Sequence, residues 1–346
     1  MWLINKGGIM KQKIVLIGFG TVGQGLAEIL LDKKKELKDK YGYEFDIVGI
    51  SDIAWGTVYN SDGLDMPAIL ENVKGKKKFS KDVKDWDSMA LIRESNANVV
   101  CELAFTNLES GEPAIGHCKA AFETGKHVVT SNKGPAALAY RELKEMAHKN
   151  GVQFQIEGTV MSGTPVLNLS DGPLAGCTIT AARGILNGTT NYILTQMEGG
   201  MSYEDALAKA QELGYAEADP TGDVEGYDAR GKVTILANVV MGTSLKVSDV
   251  ACKGITKITL DDINKAKQEN CRWKLIGSVK REGNKVIASV APEKLPLTHP
   301  LAGVMGATNA MTFTTDLLGD VSIVGPGAGR KETGYSILTD LIAIHR

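Results

Sequence analysis

The sequence predicts an α/β protein: a parallel sheet with crossover helices over residues 1–150, a mixed α+β domain over 151–315, and a C-terminal segment, 316–346, that returns to the first domain. Short β-branched runs alternate with helical patterns through the first half, as in a doubly wound sheet. The glycine-rich stretch GFGTVG, residues 18–23, joins the first run to the first helical pattern. From Gly151 the pattern changes to alternating strands and a cluster of three helices. A chain of 346 residues is too long for one small core and fits two.

In order, KIVLIG reads as a buried strand, and Val22, Leu26, Ile29 and Leu30 share one face of the helix after it. FDIVGIS, ANVVCELAF and HVVTSN are further strands of the parallel kind. In the second domain VQFQIEG alternates like a strand and TITAARGIL follows, with helical patterns over 189–197, 202–213 and 225–241. Ser202 with Asp205 three residues on resembles a capping box, and Gly214 stops that helix. CRWKLIGSVKREGNKVIASVAP reads as two strands around Glu282-Gly283-Asn284, and NAMTFTTDLLGDVSIVG as another pair. The tail opens on the glycine-rich GPGAG and ends in a helix with Ile337, Leu338, Leu341 and Ile342 as its apolar face.

Hydrophobic residues at 43% and charged residues at 23% place the chain among ordinary globular proteins. A net charge of −2 supplies no field to recruit nucleic acid or an anionic membrane, so the partner is a small molecule or another subunit. Cys101, Cys118, Cys177, Cys252 and Cys271 show no CxxC spacing, which argues against a disulfide framework or thiolate metal site and for a reducing cytoplasm. The opening MWLINKGGIMKQK lacks the apolar region of a signal peptide, and no 18-residue apolar run follows. Met10 is a candidate start, because ordered pattern begins at Lys13. The lysine-rich runs at 33–40 and 74–78 read as solvated surface.

In GFGTVG, Gly18 permits a tight turn, Gly20 lets backbone approach a pyrophosphate, Gly23 lets helix and strand pack, and the helix N–H groups meet the anion. The same stretch without a ligand is a tight strand-to-helix turn. Asp52 ends the second strand, where an acid holds the ribose of NAD, although it lies further from Gly18 than the usual ~20 residues. Lysines at 74–78 would serve the 2′-phosphate of NADP instead, so both cofactors stay open. FTN at 105–107 and TSNKG at 130–134 follow buried strands, at the carboxyl edge where such sheets bind ligands. Lys133 there is a cofactor or substrate contact, or an exposed loop lysine. Glu157 leads into an irregular loop of small residues, a pattern for a hard cation such as Na⁺, Ca²⁺ or Mg²⁺, or for a polar turn.

The stretch ELGYAEADPTGDVEGYDARGK packs Glu212, Glu217, Asp219, Asp223, Glu225 and Asp228 beside Lys232. EF-hand spacing is not met. A helix from Glu225 puts Asp228 and Lys232 at i and i+4 on the face that carries Leu236. That is either an exposed salt bridge or a catalytic lysine held by carboxylates. GILNGTTNYIL adds a strand, a turn and a helix start suited to a substrate carboxylate.

GFGTVG, TSNKG, EGTVMSGTP, GILNGTTNYI and LGYAEADPTGDVEGYDARGK occur in the order and approximate spacing of one family, and the sequence resembles the homoserine dehydrogenases along nearly its whole length. The resemblance implies a Rossmann-type nucleotide domain, a second catalytic and dimerisation domain, a homodimer, and NAD(P)H-dependent reduction of L-aspartate 4-semialdehyde to L-homoserine for threonine, methionine and isoleucine synthesis. It implies Lys232 as the acid/base, Asp228 beside it, Glu217 contacting substrate, and Tyr215, Gly188 and Thr189 lining the pocket. For the cofactor it implies Gly18, Phe19, Gly20, Thr21, Val22 and Gly23, with Asp52, Thr106, Lys133 and Gly329, the turn at 325–329 closing over the nicotinamide side. Na⁺ would be held by Glu157 and the carbonyls of Val160, Ser162 and Thr164. The chain ends at Arg346, implying no C-terminal regulatory domain and no threonine feedback, and Arg330-Lys331-Glu332 stand where small residues are more usual. Two other functions fit less well. Aspartate-semialdehyde dehydrogenase needs a nucleophilic cysteine beside a histidine, and a non-catalytic dinucleotide sensor would not need Asp228, Lys232 and Glu217.

Overall fold

The computed structural model describes residues 11–346; the start expected at Met10 lies outside them. The chain forms two compact units, one running to Thr159 and taking in Gly329–Arg346, the other spanning Val160–Ala328.

The first unit contains strands β1 (Gln12–Ile17), β2 (Phe45–Asp52), β3 (Gly56–Tyr59), β4 (Val83–Lys84), β5 (Val99–Glu102), β6 (His127–Thr130) and β7 (Phe154–Gln155). They form one sheet in the order β4-β3-β2-β1-β5-β6-β7. The five strands from β2 to β7 run parallel, whereas β3 and β4 add an antiparallel edge. Strand order reverses between β1 and β5, so the carboxyl ends of these two strands open the crevice where such sheets bind ligands. The four strands read from the sequence are β1, β2, β5 and β6; the antiparallel edge was not read, because its strands are short and lack a buried run.

Helices α1 (Thr21–Tyr41), α2 (Met66–Lys74), α3 (Ser88–Glu94), α4 (Ala114–Glu123), α5 (Lys133–Leu138) and α6 (Tyr140–Lys149) connect the strands. Leu26 and Leu30 of α1 are fully buried with Ile14, Leu16 and Ile50 of the sheet. The C-terminal helix, Arg330–His345, adds Ile337, Leu338 and Leu341 to that core. It approaches α1 where side chains are missing: a Cβ on Gly25 would lie 2.1 Å from the Arg330 carbonyl, and one on Gly334 would lie 2.6 Å from the Leu26 nitrogen. Arg330 grips α1 at the same place, donating to both oxygens of Glu28 at 2.7 and 3.1 Å and to Gln24 at 3.1 Å. This hydrogen bond is the main reason the Glu28 carboxyl is held below its ordinary range.

The second unit contains β8 (Ile179–Ile185), β9 (Ala251–Cys252), β10 (Cys271–Glu282), β11 (Lys285–Pro296), β12 (Thr308–Thr315) and β13 (Gly319–Pro326), in the order β13-β12-β8-β10-β11-β9. All pairings are antiparallel except the short β9 on β11. Its helices are α7 (Leu167–Asp171), α8 (Gly188–Glu198), α9 (Tyr203–Glu212), α10 (Thr221–Val224), α11 (Tyr227–Val239) and α12 (Leu260–Gln268). The expected boundaries shift. VQFQIE is β7, paired with β6, so the first unit runs past 150; β13 pairs with β12, so the return begins at 329 rather than 316. The helix expected from Glu225 is broken at Gly226, whose φ of 82° favours glycine and ends α10 before α11 begins.

Candidate functional site

In the first unit, Gly18 has φ +95°, and a Cβ there would lie 2.5 Å from the Leu103 carbonyl; one on Gly23 would lie 2.8 Å from the Gly18 carbonyl. Packing alone requires both glycines. Gly20 differs, because a Cβ on it would meet nothing within 4 Å. The space beside it is what an approaching pyrophosphate needs. Gly20 caps α1 without a side-chain hydrogen bond, and the first-turn N–H groups that follow, at Thr21 and Val22, have no intrahelical acceptor. The residues present therefore fit a dinucleotide.

Phe19 takes a different place from its neighbours. Its ring is buried against Phe79 with centroids 6.4 Å apart, and its N–H donates to Asp52 Oδ2 at 2.7 Å. Only its backbone lies on the loop. Asp52 Oδ1 accepts from the Ala54 and Trp55 N–H groups at 2.8 and 3.3 Å, which fixes the carboxylate at the end of β2. Thr106 is exposed just beyond β5, and Lys133 is the half-buried first residue of α5.

A buried polar network behind these loops was not read from the sequence. Asn132 caps α5 by accepting from the Gly134 N–H at 2.9 Å, and its Nδ2 donates to the Ala104 and Phe105 carbonyls at 3.2 and 3.0 Å. Thr130 Oγ1 accepts from the Asn132 N–H and donates to the Glu102 carbonyl at 2.6 Å. The FTN and TSNKG segments are thereby tied together. Gly329 caps the C-terminal helix with φ +135°, a backbone that disfavours any side chain.

In the second unit, Lys232 and Asp228 lie on α11, one turn apart. Lys232 is 8% exposed, and its Nζ donates to Asp228 Oδ2 at 2.6 Å and to the Leu186 carbonyl at 2.7 Å. In place of the exposed salt bridge weighed from the sequence, a buried Lys232 pairs with a half-buried Asp228. Asn187, the N-cap of α8, accepts from the Thr190 N–H at 2.9 Å while its Nδ2 donates to Asp228 Oδ2 at 3.0 Å and Asp223 Oδ1 at 2.6 Å. Burial, and then the neighbouring charge of Asp228, raises the Asp223 carboxyl above its ordinary range. Two carboxylates, an amide and an ammonium therefore meet at the amino end of α8.

Gly188 is the first residue of α8; a Cβ there would lie 2.6 Å from the Ala307 carbonyl. Thr189 is buried and donates to the Tyr215 carbonyl at 2.6 Å, and the Tyr215 ring packs on Tyr192 at 5.0 Å. Glu217 lies in the exposed loop between α9 and α10 and makes no hydrogen bond or ion pair to Asp228 or Lys232 among the described residues. Asp219 accepts from the Thr221 N–H at 3.1 Å at the start of α10. Asp223 faces Asn187. The signal missed was Asn187 itself, a favoured capping residue directly before Gly188.

For a cation, Glu157 is 2% exposed and begins a single 3₁₀ turn at the end of the first unit. Val160, Ser162 and Thr164, all buried, open the second unit. Met161 and Ser162 both adopt left-handed backbone, φ 57° and 55°, an uncommon pair of non-glycine outliers of the kind that collects at functional loops. Thr164 donates to the Pro326 carbonyl at 2.9 Å. Among the described residues no group of three or more His, Cys, Asp or Glu side chains could hold a metal ion.

A glycine loop at the switch point of a parallel sheet, in a chain that also buries a lysine against a carboxylate, has the parts of a nucleotide-dependent enzyme with an acid/base lysine, and the family matches make it an NAD(P)-dependent oxidoreductase acting on a CH–OH group. Residues 18–157 match the family model of the homoserine dehydrogenase NAD binding domain, and residues 165–342 match that of homoserine dehydrogenase. The chain is 48% identical to the NAD(+)-dependent homoserine dehydrogenase of Pseudomonas canavaninivorans over 338 residues, 96% of each. It is 45% identical to the homoserine dehydrogenase of Methanocaldococcus jannaschii over 337 residues, 96% of this chain and 98% of the other. Among solved structures it resembles a hyperthermophilic archaeal homoserine dehydrogenase mutant in complex with NADPH, with a TM-score of 0.83 at 32% identity, covering 97% and 98% of the two chains. The chain belongs to the homoserine dehydrogenase family.

Proposed function

We propose that in the homoserine dehydrogenase reaction of this chain Lys232 gives and takes the proton at the substrate oxygen. The observation that carries this is the burial of its ammonium against Asp228 and the Leu186 carbonyl. In the reducing direction negative charge grows on the oxygen of L-aspartate 4-semialdehyde, and the ammonium stabilises it and donates the proton that makes L-homoserine. Asp228 orients Lys232, and Asn187 holds Asp228. When bound, NAD(P)H supplies the hydride. Asp223 and the exposed Glu217 are the carboxylates for the substrate ammonium, with Tyr215, Gly188 and Thr189 beside them.

The first unit's glycine loop, with Thr106, Lys133 and Gly329, would hold the nucleotide. Asp52 at the end of β2 favours NAD over NADP, since a carboxylate there repels a 2′-phosphate. Na⁺ would take the buried Glu157 carboxylate as its charged ligand, and the exposed Ile287, Leu317, Leu318 and Val324 of the second unit support a homodimer. The free cysteines fit a cytoplasmic enzyme. Among the described residues no helix is long and apolar enough to cross a membrane.

Incubation with L-homoserine and NAD⁺ or NADP⁺, with and without Na⁺, tests the reading through nicotinamide absorbance. Turnover is expected, faster with NAD⁺ and raised by Na⁺. No absorbance change with either nucleotide would overturn it.

A further inference from the structure

We infer that Gln24 and Arg330 are positioning residues for the nucleotide: held by Arg330, Gln24 locks the Phe19–Gly20 peptide so that the glycine loop is set before a pyrophosphate arrives. The inference rests on the reading of residues 18–23 as the nucleotide loop, and every group in it belongs to the first unit. Gln24 lies one turn into α1, and its Nε2 donates to the Phe19 carbonyl at 2.8 Å. A peptide unit is planar and trans, with its C=O and N–H directed to opposite sides. Holding the Phe19 carbonyl therefore also fixes the direction of the Gly20 N–H, which belongs to the same peptide. The preceding peptide is held as well, because the Phe19 N–H donates to Asp52 Oδ2 at 2.7 Å. A glycine-rich loop has backbone freedom to lose on binding, and fixing it beforehand strengthens binding without any new contact to the ligand.

Arg330 decides which way the Gln24 amide faces. Its Nη1 donates to Gln24 Oε1 at 3.1 Å, and a guanidinium has no acceptor, so the amide oxygen is taken and the nitrogen is left for Phe19. The guanidinium is itself fixed by donating from Nε and Nη2 to the two oxygens of Glu28, one turn further along α1. The two backbones come close enough for this because Gly25 has no side chain, a Cβ there lying 2.1 Å from the Arg330 carbonyl. The bonds to Glu28 already tie the C-terminal helix to α1; the bond to Gln24 extends that tie into the glycine loop. From Arg330 to Asp52 the hydrogen bonds run without a break through Gln24 and Phe19. Gly329, one of the nucleotide contacts proposed above, directly precedes Arg330, so the same guanidinium anchors it too.

Gln24→Met keeps the bulk and the helix propensity and removes both amide bonds. The intact enzyme is titrated with NADH and with NADPH, followed by fluorescence. Both Kd values are expected to rise by a common factor of about 3 to 10, the span of one lost hydrogen bond, because both nucleotides carry the pyrophosphate. At saturating nucleotide, kcat and the KM for homoserine stay within about twofold. Arg330→Met weakens both nucleotides likewise, yet adds no further weakening in the Gln24→Met background, where no amide is left to orient. It lowers the melting temperature in either background, since Glu28 loses its partner. Wild-type Kd values for Gln24→Met would overturn the inference. So would an Arg330→Met effect on Kd of the same size in both backgrounds, the behaviour of a tie between helices alone. Gly20→Val is the control for the loop: the free protein accommodates it, a Cβ there meeting nothing within 4 Å, whereas a pyrophosphate beside it does not. If Gly20→Val weakens the nucleotides and Gln24→Met does not, the inference alone fails; if Gly20→Val binds them as wild type does, the reading of the loop fails with it.

Discussion

Lys232 Nζ lies 2.6 Å from Asp228 Oδ2 one helical turn back, and both side chains are mostly shielded from water. A surface i, i+4 pair contributes only a few tenths of a kcal/mol, so stability gives little reason to bury one. Lys232→Met keeps the bulk and removes the proton. Its kcat is expected to fall roughly 10²- to 10⁴-fold, the usual share of positioned acid–base catalysis. Nucleotide affinity, followed by fluorescence titration, should hardly change. Wild-type turnover would sink the assignment.

Asp223 supplies a pH signature. Burial, then Asp228, raises its carboxyl above the unfolded value, so the folded protein binds this proton more readily than the unfolded chain. Its contribution to stability is therefore fully present below the unfolded value and is lost as pH rises through the folded one. Asp223→Asn removes the dependence and keeps an acceptor for Asn187. Urea denaturation from pH 4 to 8 should show the variant gaining on wild type as pH rises, while its KM for homoserine increases. Parallel stability curves would contradict the burial argument.

Lys274 of β10 is wholly buried and donates to Asn191 Oδ1 at 2.9 Å and to the Val304 carbonyl at 2.6 Å. Desolvation lowers it from 10.5 to about 8. Between these values the unfolded chain holds the proton and the folded protein does not, so the stability of wild type relative to Lys274→Met rises with pH across that window. The full rise is on the order of 3 kcal/mol. Denaturation of both proteins at pH 7.5 and pH 10 measures it. A difference that does not vary with pH would exclude the buried ammonium as its source.

Asp52 accepts three backbone N–H groups, and Asn in its place keeps an acceptor while removing the charge. Asp52→Asn is expected to raise kcat/KM for NADP⁺ relative to that for NAD⁺. An unmoved ratio would shift the choice between nucleotides to other residues, the lysines at 74–78 first among them.

Much of this was legible in the chain itself. Alternating apolar runs define β1, β2, β5 and β6 because a strand buried on both faces needs a continuous apolar string. GFGTVG placed the nucleotide loop because Gly18 and Gly23 meet neighbours that no Cβ could approach. The i, i+4 spacing put Asp228 beside Lys232, since helix periodicity is local. Phe19 and Glu217 were less legible, because a motif records a position and not the direction of a side chain. One ring enters the core, and the other side chain lies in an exposed loop.

By itself, then, the sequence determined β1, β2, β5 and β6, the position of the glycine loop and the lysine–carboxylate pair, all marked by patterns of a few consecutive residues. Only the tertiary structure decided that Asn187 would bridge Asp223 and Asp228 from 36 and 41 residues away, and that the Leu186 carbonyl would hold Lys232 from 46. It also decided that Lys274 of β10 and Asn309 of β12 would be buried on the two strands that flank β8. Such contacts form when β8, α8 and α11 pack together. Packing depends on the shape of the assembled unit, which no local spacing encodes.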